Sequence, residues 1–415
     1  MSLSPNVHEL VKREIAAVAP SITTWRRWLH AHPELSNREE ETSGWILERL
    51  QTLDVESIQT GIGGYGLTAL IHGEAENPSE KQRVVALRAD MDALPVTEET
   101  GLPFASKNKG VMHACGHDAH TAMLLGAAQA LSHPDVRSQF AGTIKLIFQG
   151  AEEGAPLGER GGAPAMIEDG VLKSPDVDAI FGLHVVPHAP SGILGTREGG
   201  IMAAVDRFSI ILRGRQAHGA SPQESIDPVV ASAQLISALQ TIASRTIDPN
   251  ETVVVTVGSV EADGRWNIIP ESVTLTGTVR THSDAVRQLV VSRFDEIVKG
   301  ISAAMGVEVD LEYLDLNPAL MNDVDLTRRM IPTLRSVVGS ERCLEIPPWM
   351  AGEDFAHYAI QIPAMFYFLG SAPSPDDGLP PSGPIHSPTM RLNESVFPLG
   401  AESLAVLALD FLSES

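Results

Sequence analysis

Short apolar segments separated by helical patterns recur along the first half of the chain, and this alternation constrains the fold more than any other feature. Three such segments are "RVVALRADMD", "GTIKLIFQGAEEG" and "DAIFGLHVVP", and each ends in or near acidic residues or a histidine. Sequences typical of helices, such as "DAHTAMLLGAAQAL", lie between them. Strands that are apolar on both faces and alternate with helices are typical of a mostly parallel sheet covered on both sides. We therefore predict an α/β fold.

The pattern changes near residue 196 and changes back near residue 315. Between these points the strands alternate apolar and polar residues, as in "ETVVVTVGSVE" and "SVTLTGTVRT". The predicted order of elements is β-α-β-β-α-β, which is typical of a ferredoxin-like domain. A chain of 415 residues is also too long for one ordinary core. We predict that residues 196–315 form an inserted α+β domain, and that residues 1–195 plus 316–415 form the α/β domain.

The composition excludes several classes of protein. Hydrophobic residues make up 43% and charged residues 20% of the chain, as in folded globular proteins. The net charge of -23 disfavours binding to nucleic acid or anionic membranes. We find no apolar run near the ~20 residues of a membrane span and no apolar signal-peptide core at the start. Two cysteines cannot build a disulfide framework. We expect a cytoplasmic protein without nucleic-acid or membrane partners.

The segment "GVMHACGHDAH", residues 110–120, concentrates side chains that bind metals. Cys115 and His117 are separated by one residue, in a glycine-containing turn just before a predicted helix. Such a turn can aim both side chains at one point, and thiolate and imidazole suit zinc and neighbouring metals. A thiol nucleophile is the other interpretation, and it needs a base held beside Cys115 by the fold. The local sequence leaves both open.

Further acidic residues and histidines occur where the predicted strands end or in a late loop. In open α/β sheets, sites lie at the carboxyl ends of the strands, so these side chains are expected to meet. Each is unremarkable alone, since adjacent glutamates usually lie in a solvated loop, but their joint occurrence favours a metal site. The residues are Asp90, Asp92, Glu152, Glu153, His184 and His386.

The chain resembles the aminoacylase, carboxypeptidase G and dipeptidase superfamily of two-metal hydrolases. Within it, the chain is similar to the hippurate hydrolase and indole-acetyl-amino-acid hydrolase branch. The resemblance rests on "RRWLHAHPELS", "LRADMDALPV", "MHACGHDAHTAMLLGAA", "FQGAEEG", "GLHVVP", "HGASPQESIDPV", "WNIIPESVTLTGTVRT", "GEDF" and "IHSPTMRLNE". It implies a zinc-peptidase-like catalytic domain and an inserted ferredoxin-like dimerisation or lid domain.

The resemblance also implies the roles of individual residues. Cys115 would bridge two metals and Glu152 would be the general base. The remaining ligands would be His117, Glu153, His184 and His386. On the inserted domain, His218 would stabilise the oxyanion in the partner subunit's site. Asn267 and Arg280 match positions that hold the substrate carboxylate in relatives.

One departure from the wider superfamily concerns the first motif of the site. Most members begin with His-x-Asp and use an aspartate as the bridge, whereas this chain has Asp90-Met91-Asp92 and Cys115. The role of Asp90 is therefore open, and Asp92 is expected to orient a metal-binding histidine. His113 and His120 flank the metal turn and are not assigned as ligands.

The activity implied is that of a metal-dependent amidohydrolase. It would cleave small N-acyl-amino acids, such as hippurate-like, N-acetyl or indole-acetyl conjugates, to a carboxylic acid and a free amino acid. Two divalent ions per subunit (Zn, Mn, Ni or Co) would activate a water molecule, and the assembly would be a homodimer or dimer-based oligomer.

Three alternatives stay open. A dipeptidase or carboxypeptidase of the same superfamily would differ in its acyl pocket. A metal-independent cysteine hydrolase would use Cys115 and leave the pair of Glu152 and Glu153 unexplained. A metal-binding protein without catalysis would have no need of Glu152.

Overall fold

The computed structural model describes residues 3–76, 82–374, 378 and 380–413. The chain divides into two compact units. The first comprises Met1–Gly199, Met321–Pro347 and His357–Ser415, and the second comprises Gly200–Leu320 and Pro348–Ala356. Each unit has its own hydrophobic core.

The helices and strands follow one another as the alternation in the sequence predicts. The strands are β1 (Glu56–Ile62), β2 (Gly66–His72), β3 (Val84–Asp90), β4 (Thr143–Gln149), β5 (Ala179–Val186), β6 (Leu194–Thr196), β7 (Gly199–Met202), β8 (Ala204–Arg213), β9 (Ala217–His218), β10 (Val253–Ala262), β11 (Ile268–Ile269), β12 (Ser272–Thr281), β13 (Glu308–Asn317), β14 (Leu320–Asn322), β15 (Cys343–Glu345) and β16 (Ala364–Gly370). The helices are α1 (Pro5–Ala31), α2 (Glu40–Leu50), α3 (His117–Leu131), α4 (Pro134–Arg137), α5 (Gly162–Glu168), α6 (Pro228–Thr241), α7 (Asp284–Met305), α8 (Val324–Val338), α9 (Ala356–Ala359) and α10 (Phe397–Leu412).

The first unit is built on an eight-stranded sheet of order β1-β2-β4-β3-β5-β16-β6-β15. Its four central strands, β4, β3, β5 and β16, are parallel to one another and buried along their length. Strands buried on both faces have to be apolar throughout, which is the pattern in the sequence. Because these strands are parallel, their carboxyl ends lie at the same end of the sheet. The predicted α/β class is confirmed.

Helix α10 is the most apolar of the helices that cover this sheet, and it packs on α1, α3 and α8. By length and composition, the helical stretch Glu394–Leu412 could cross a membrane, and 83% of its apolar window is buried inside the protein. The expectation that no segment approaches the requirements of a span is therefore wrong for this stretch. Its burial is that of a helix in the core of a folded domain.

Helix α1 continues through a proline. Pro20 removes a backbone donor, and a proline in a helix interior normally ends or kinks the helix. Instead, α1 runs from Pro5 through Pro20 to Ala31. Its buried residues follow helical spacing on both sides of the proline: Val11, Ile15, Val18, Ile22, Arg26 and Leu29. Packing of this continuous stripe outweighs the hydrogen bond that Pro20 cannot make.

The second unit contains a four-stranded antiparallel sheet of order β10-β12-β8-β13. Helices α6 and α7 pack against this sheet and each other, so the predicted β-α-β-β-α-β order is confirmed. Helix α6 begins at Pro228 and is followed by a π-helical turn at Ile242–Thr246. It begins there because the Asp227 side chain accepts hydrogen bonds from the first free N–H groups of the helix.

Candidate metal centre

The turn before α3 brings Cys115 and His117 to the carboxyl end of the parallel strands. Gly116 makes this turn possible, because its φ is +99° and a Cβ atom there would lie 2.5 Å from Val185 Cγ2. On the neighbouring strand β5, His184 places its Nε2 atom 3.3 Å from Cys115 Sγ. One turn and one strand end therefore direct three side chains to one point.

Two groups of potential ligands share the Cys115 thiol. One group contains Cys115, His117 and His184, and the other contains Cys115, Glu153 and His386; within each group the ligand atoms lie within 4.8 Å of one another. The Nε2 atom of His117 is buried and has no hydrogen-bond partner among the described residues. A buried imidazole nitrogen of this kind fits a bound cation. The residues present suit two cations that share a thiolate.

His117 is oriented by Asp92. Its Nδ1 atom lies 3.0 Å from the carbonyl oxygen of Asp92 and 3.1 Å from Asp92 Oδ1, so Nδ1–H donates and Nε2 faces the site. Burial alone would lower the pKa of His117, but the charges of Asp90 and Asp92 raise it to about 10. A site that stabilises a proton on Nε2 so strongly is also favourable for a divalent cation at the same atom.

His184 and Cys115 form a neutral pair in the absence of a cation. The Nδ1–H group of His184 donates to the carbonyl oxygen of Val185 at 2.7 Å, which leaves a lone pair on Nε2. Burial lowers the pKa of His184 well below its ordinary value. Burial, with the charges of Glu153 and Glu152, raises the pKa of the Cys115 thiol well above the ordinary value of a cysteine. A cysteine nucleophile needs the opposite shifts, whereas a bound cation would deprotonate the thiol.

His120 is not available as a ligand, because both of its ring nitrogens are used. Its Nε2 atom accepts the backbone N–H of Val185 at 2.9 Å, and its Nδ1–H donates to Asp90 Oδ1 at 2.6 Å. Asp90 also accepts a hydrogen bond from Arg88 and is fully buried. Asp90 and His120 thus hold the backbone of Val185 through its N–H group, and the carbonyl group of the same residue orients His184.

His113 lies outside every potential ligand group found among the described residues. It is buried, and burial lowers its pKa to about 4. Neither of its ring nitrogens has a hydrogen-bond partner in the part of the chain that the structure describes. We assign no role to His113.

His386 is the most exposed of the potential ligands. The side chain of His386 is 51% exposed, against 0% for His117. His386 has a φ of +66°, and its backbone N–H donates to the carbonyl oxygen of Ala114 at 2.8 Å. Its Nε2 atom lies 3.1 Å from Glu153 Oε1. Glu152 Oε2 lies 3.8 Å from His117 Nε2, so Glu152 adjoins the ligands.

Sequence reasoning missed Glu39 and Ser36. Ser36 Oγ donates to Asp92 Oδ2 at 2.7 Å. Glu39 is buried at 0% exposure, and its Oε1 atom accepts the backbone N–H of Ala151 at 2.8 Å. Burial and the charge of Asp92 raise the pKa of Glu39 to about 7. Both residues belong to the segment "SNREEE", where an acidic run before a helix is typical of a solvated first turn, so nothing local distinguishes Glu39 from its neighbours.

The other predicted residues, His218, Asn267 and Arg280, belong to the second unit. His218 lies on β9 and pairs with Ile268 of β11, and Asn267 comes just before β11, where its carbonyl oxygen accepts the N–H of Gly219 at 2.8 Å. His218 is exposed, and its Nδ1 atom accepts the N–H of Ala220 at 3.0 Å. Arg280 lies on β12, and its Nη1 atom is buried without a hydrogen-bond partner among the described residues. Burial lowers the pKa of Arg280.

Comparisons with known proteins agree on one family. The profile of peptidase family M20/M25/M40 matches residues 86–410. N-acetyl-L-cysteine deacetylase of Bacillus subtilis (strain 168) is 42% identical over 346 residues, which are 83% of this chain and 79% of that protein. IAA-amino acid hydrolase ILR1-like 2 of Arabidopsis thaliana is 37% identical over 410 residues, which are 96% of this chain and 88% of that protein. The Bacillus subtilis YXEP protein, a dinuclear metal-binding peptidase from the M20 family, has a crystal structure that matches with a TM-score of 0.78 at 35% identity, over 96% of this chain and 99% of that one.

Proposed function

The chain belongs to peptidase family M20/M25/M40 and is a metal-dependent amidohydrolase, and we propose on this premise how its own residues hydrolyse N-acyl-amino acids. The observation that carries the proposal is the Cys115 thiol, which belongs to two ligand groups at once while Glu152 adjoins them. Two cation sites that share one ligand, with a further carboxylate beside them, suit amide hydrolysis by activated water.

Two divalent cations would be held by these groups. Cys115, His117 and His184 would hold one, and Cys115, Glu153 and His386 would hold the other. When bound, the cations would polarise the amide carbonyl and lower the pKa of a water molecule. The donor set of one thiolate, three imidazoles and one carboxylate suits Zn, Mn, Ni or Co better than Mg or Ca.

Glu152 is the proposed general base. It is the one carboxylate of the "AEEG" turn that the two shared-thiol groups do not use. Its side chain is 9% exposed, so it is largely buried beside the potential ligands. Glu152 takes a proton from the attacking water and passes it to the leaving nitrogen. Glu153 would instead be a ligand to one cation, so the two neighbouring glutamates would have different tasks.

The residues of the second unit are proposed to bind the substrate. Because His218 Nδ1 accepts a hydrogen bond from Ala220 N–H, its Nε2–H is the donor that can stabilise the oxyanion. Arg280 has a buried, unpaired Nη1 group among the described residues, and a guanidinium suits the carboxylate of an amino acid. The Asn267 amide would bind the same carboxylate. These contacts favour an N-acyl-amino acid with a free carboxylate.

We also propose a homodimer or dimer-based oligomer in the cytoplasm. Strand β10 is an edge strand of the sheet in the second unit. Edge strands and exposed apolar side chains favour pairing with another chain, and Val229, Val230 and Val260 are 44%, 49% and 55% exposed in this unit. Both cysteines are buried without a disulfide, which suits a reducing compartment.

The test is hydrolysis of a substrate panel after metal removal and after addition of single metals. The panel contains N-acetyl, N-benzoyl and indole-acetyl amino acids together with unblocked dipeptides. We expect cleavage of one or more N-acyl-amino acids only when Zn, Mn, Ni or Co is present. Activity that persists in the presence of chelator, or cleavage of dipeptides alone, would contradict the proposal.

A further inference from the structure

The buried carboxylate of Glu39 contacts the turn that carries the two catalytic-site glutamates, Gly150–Glu153. Its Oε1 atom accepts the backbone N–H of Ala151 at 2.8 Å. A Cβ atom built on Gly150 would lie 2.9 Å from the same oxygen. Glu39 is wholly buried, so this contact does not compete with solvent. The ligand groups and the proposed base do not include Glu39.

The turn needs support because of its backbone conformation. Ala151 has a φ of +55°, in the left-handed region that is unfavourable for any residue with a Cβ atom. Such conformations persist where the surroundings hold them, and they cluster at functional sites. Two buried carboxylates hold this turn: Glu39 binds the N–H of Ala151, and Asp92 Oδ2 binds the N–H of Glu153 at 3.0 Å. The N–H groups on both sides of Glu152 are therefore fixed.

We propose that Glu39 is a positioning residue for the hydrolysis, because its hydrogen bond to Ala151 fixes the turn that presents Glu152. This inference rests on the proposed role of Glu152 as the base. What matters is the acceptor oxygen at the position of Oε1. Glutamine has the same shape and keeps a carbonyl oxygen at that point, so Glu39→Gln retains the hydrogen bond, whereas Glu39→Ala removes it.

Steady-state kinetics and metal content of these variants test the inference. For Glu39→Ala we expect kcat to fall about 10- to 100-fold, as for a misplaced catalytic group, while KM and the bound metal stay within about twofold of wild type. Glu39→Gln should recover kcat to within about threefold of wild type. The control is Glu40→Ala, since Glu40 is the next residue and is exposed. An unchanged kcat in Glu39→Ala, or a loss in Glu39→Gln as large as in Glu39→Ala, would overturn the inference.

Amide hydrogen exchange gives a second measurement that does not depend on activity. The peptide covering residues 147–154 should exchange faster in Glu39→Ala than in wild type or Glu39→Gln; equal exchange in all three would contradict the inference. If Glu39→Ala does not fold, Glu39→Asp serves instead, because its carboxylate is withdrawn by one methylene group. Glu152→Gln is measured in the same experiment. If Glu152→Gln stays active, the assignment of Glu152 as the base is wrong. If Glu152→Gln is inactive and Glu39→Ala is fully active, only the proposed role of Glu39 is wrong.

Discussion

Glu152 and Glu153 are adjacent in sequence, yet the structure gives them different surroundings. Glu153 contacts His386 at 3.1 Å and belongs to a group with Cys115, whereas Glu152 Oε2 is 3.8 Å from His117 Nε2. We predict that Glu152→Gln retains its metals and loses about 10²- to 10⁴-fold in kcat, the usual contribution of a general base. Elemental analysis and turnover should be measured on one sample. A metal-free variant, or one with full activity, would remove this assignment.

The metal content of a Cys115 variant distinguishes a metal centre from a thiol nucleophile. We predict that Cys115→Ala loses bound metal, because the thiol belongs to both ligand groups. The matched control is Cys343→Ala, since Cys343 is buried outside those groups. Bound metal should also protect Cys115 from alkylation. Metal content equal to that of the parent protein would exclude the shared-ligand arrangement.

Metal affinity should depend steeply on pH, because the cations displace protons. Burial and nearby carboxylates raise the pKa of Cys115 well above its ordinary value, and the pKa of His117 is raised to about 10. At neutral pH both groups of the metal-free protein carry a proton that binding must release. Affinity therefore falls as the pH falls, by about 10-fold per pH unit for one proton and about 100-fold for two. Chelator competition at pH 6, 7 and 8 measures the slope, and a flat profile would contradict it.

At the scale of the elements, α3 and β5 are coupled through His120. Its ring links Asp90 to the N–H group of Val185, and the carbonyl group of the same residue orients His184. We predict that His120→Ala weakens metal binding about 10- to 100-fold, as is usual when the group that orients a ligand is lost. Chelator competition measures this effect, with His133→Ala, at the residue just before α4, as the control. Unchanged affinity would show that His184 needs no such support.

The sequence predicted the elements well where one local rule decides them, and the same rule placed several candidate site residues at the strand ends. Parallel strands must be apolar and must end together, so the positions of His184 and Glu153 could be anticipated from the strand ends. Helix α1 could not be anticipated, because packing on both sides of Pro20 outweighs the local preference for a break. Glu39 could not be predicted as a site residue for a similar reason. Its burial depends on a turn more than 100 residues away in the sequence, and the neighbouring glutamates have the same local sequence features.

For the whole molecule, the second unit could act as a dimerisation domain alone or also supply His218 to the neighbouring subunit. If His218 only stabilises the second unit, His218→Ala should stay active. If it donates to the oxyanion, His218→Ala should retain its metals and lose roughly 10²- to 10³-fold in kcat, as expected when one such donor is removed. Its free Nε2–H group and exposed position suit the second role.

Mixed dimers show which chain receives the His218 side chain. In a dimer of His218→Ala with Glu152→Gln, one site combines an intact Glu152 with the intact His218 of the other chain, and the second site carries both changes. If the two variants pair at random in a symmetric two-subunit assembly, half of the dimers are mixed, and each mixed dimer has one intact site. Refolding equal amounts of the two variants together should therefore restore about a quarter of wild-type activity. Each variant refolded alone is the control. No recovery despite demonstrated subunit exchange would mean that His218 acts within its own chain or takes no part in the reaction.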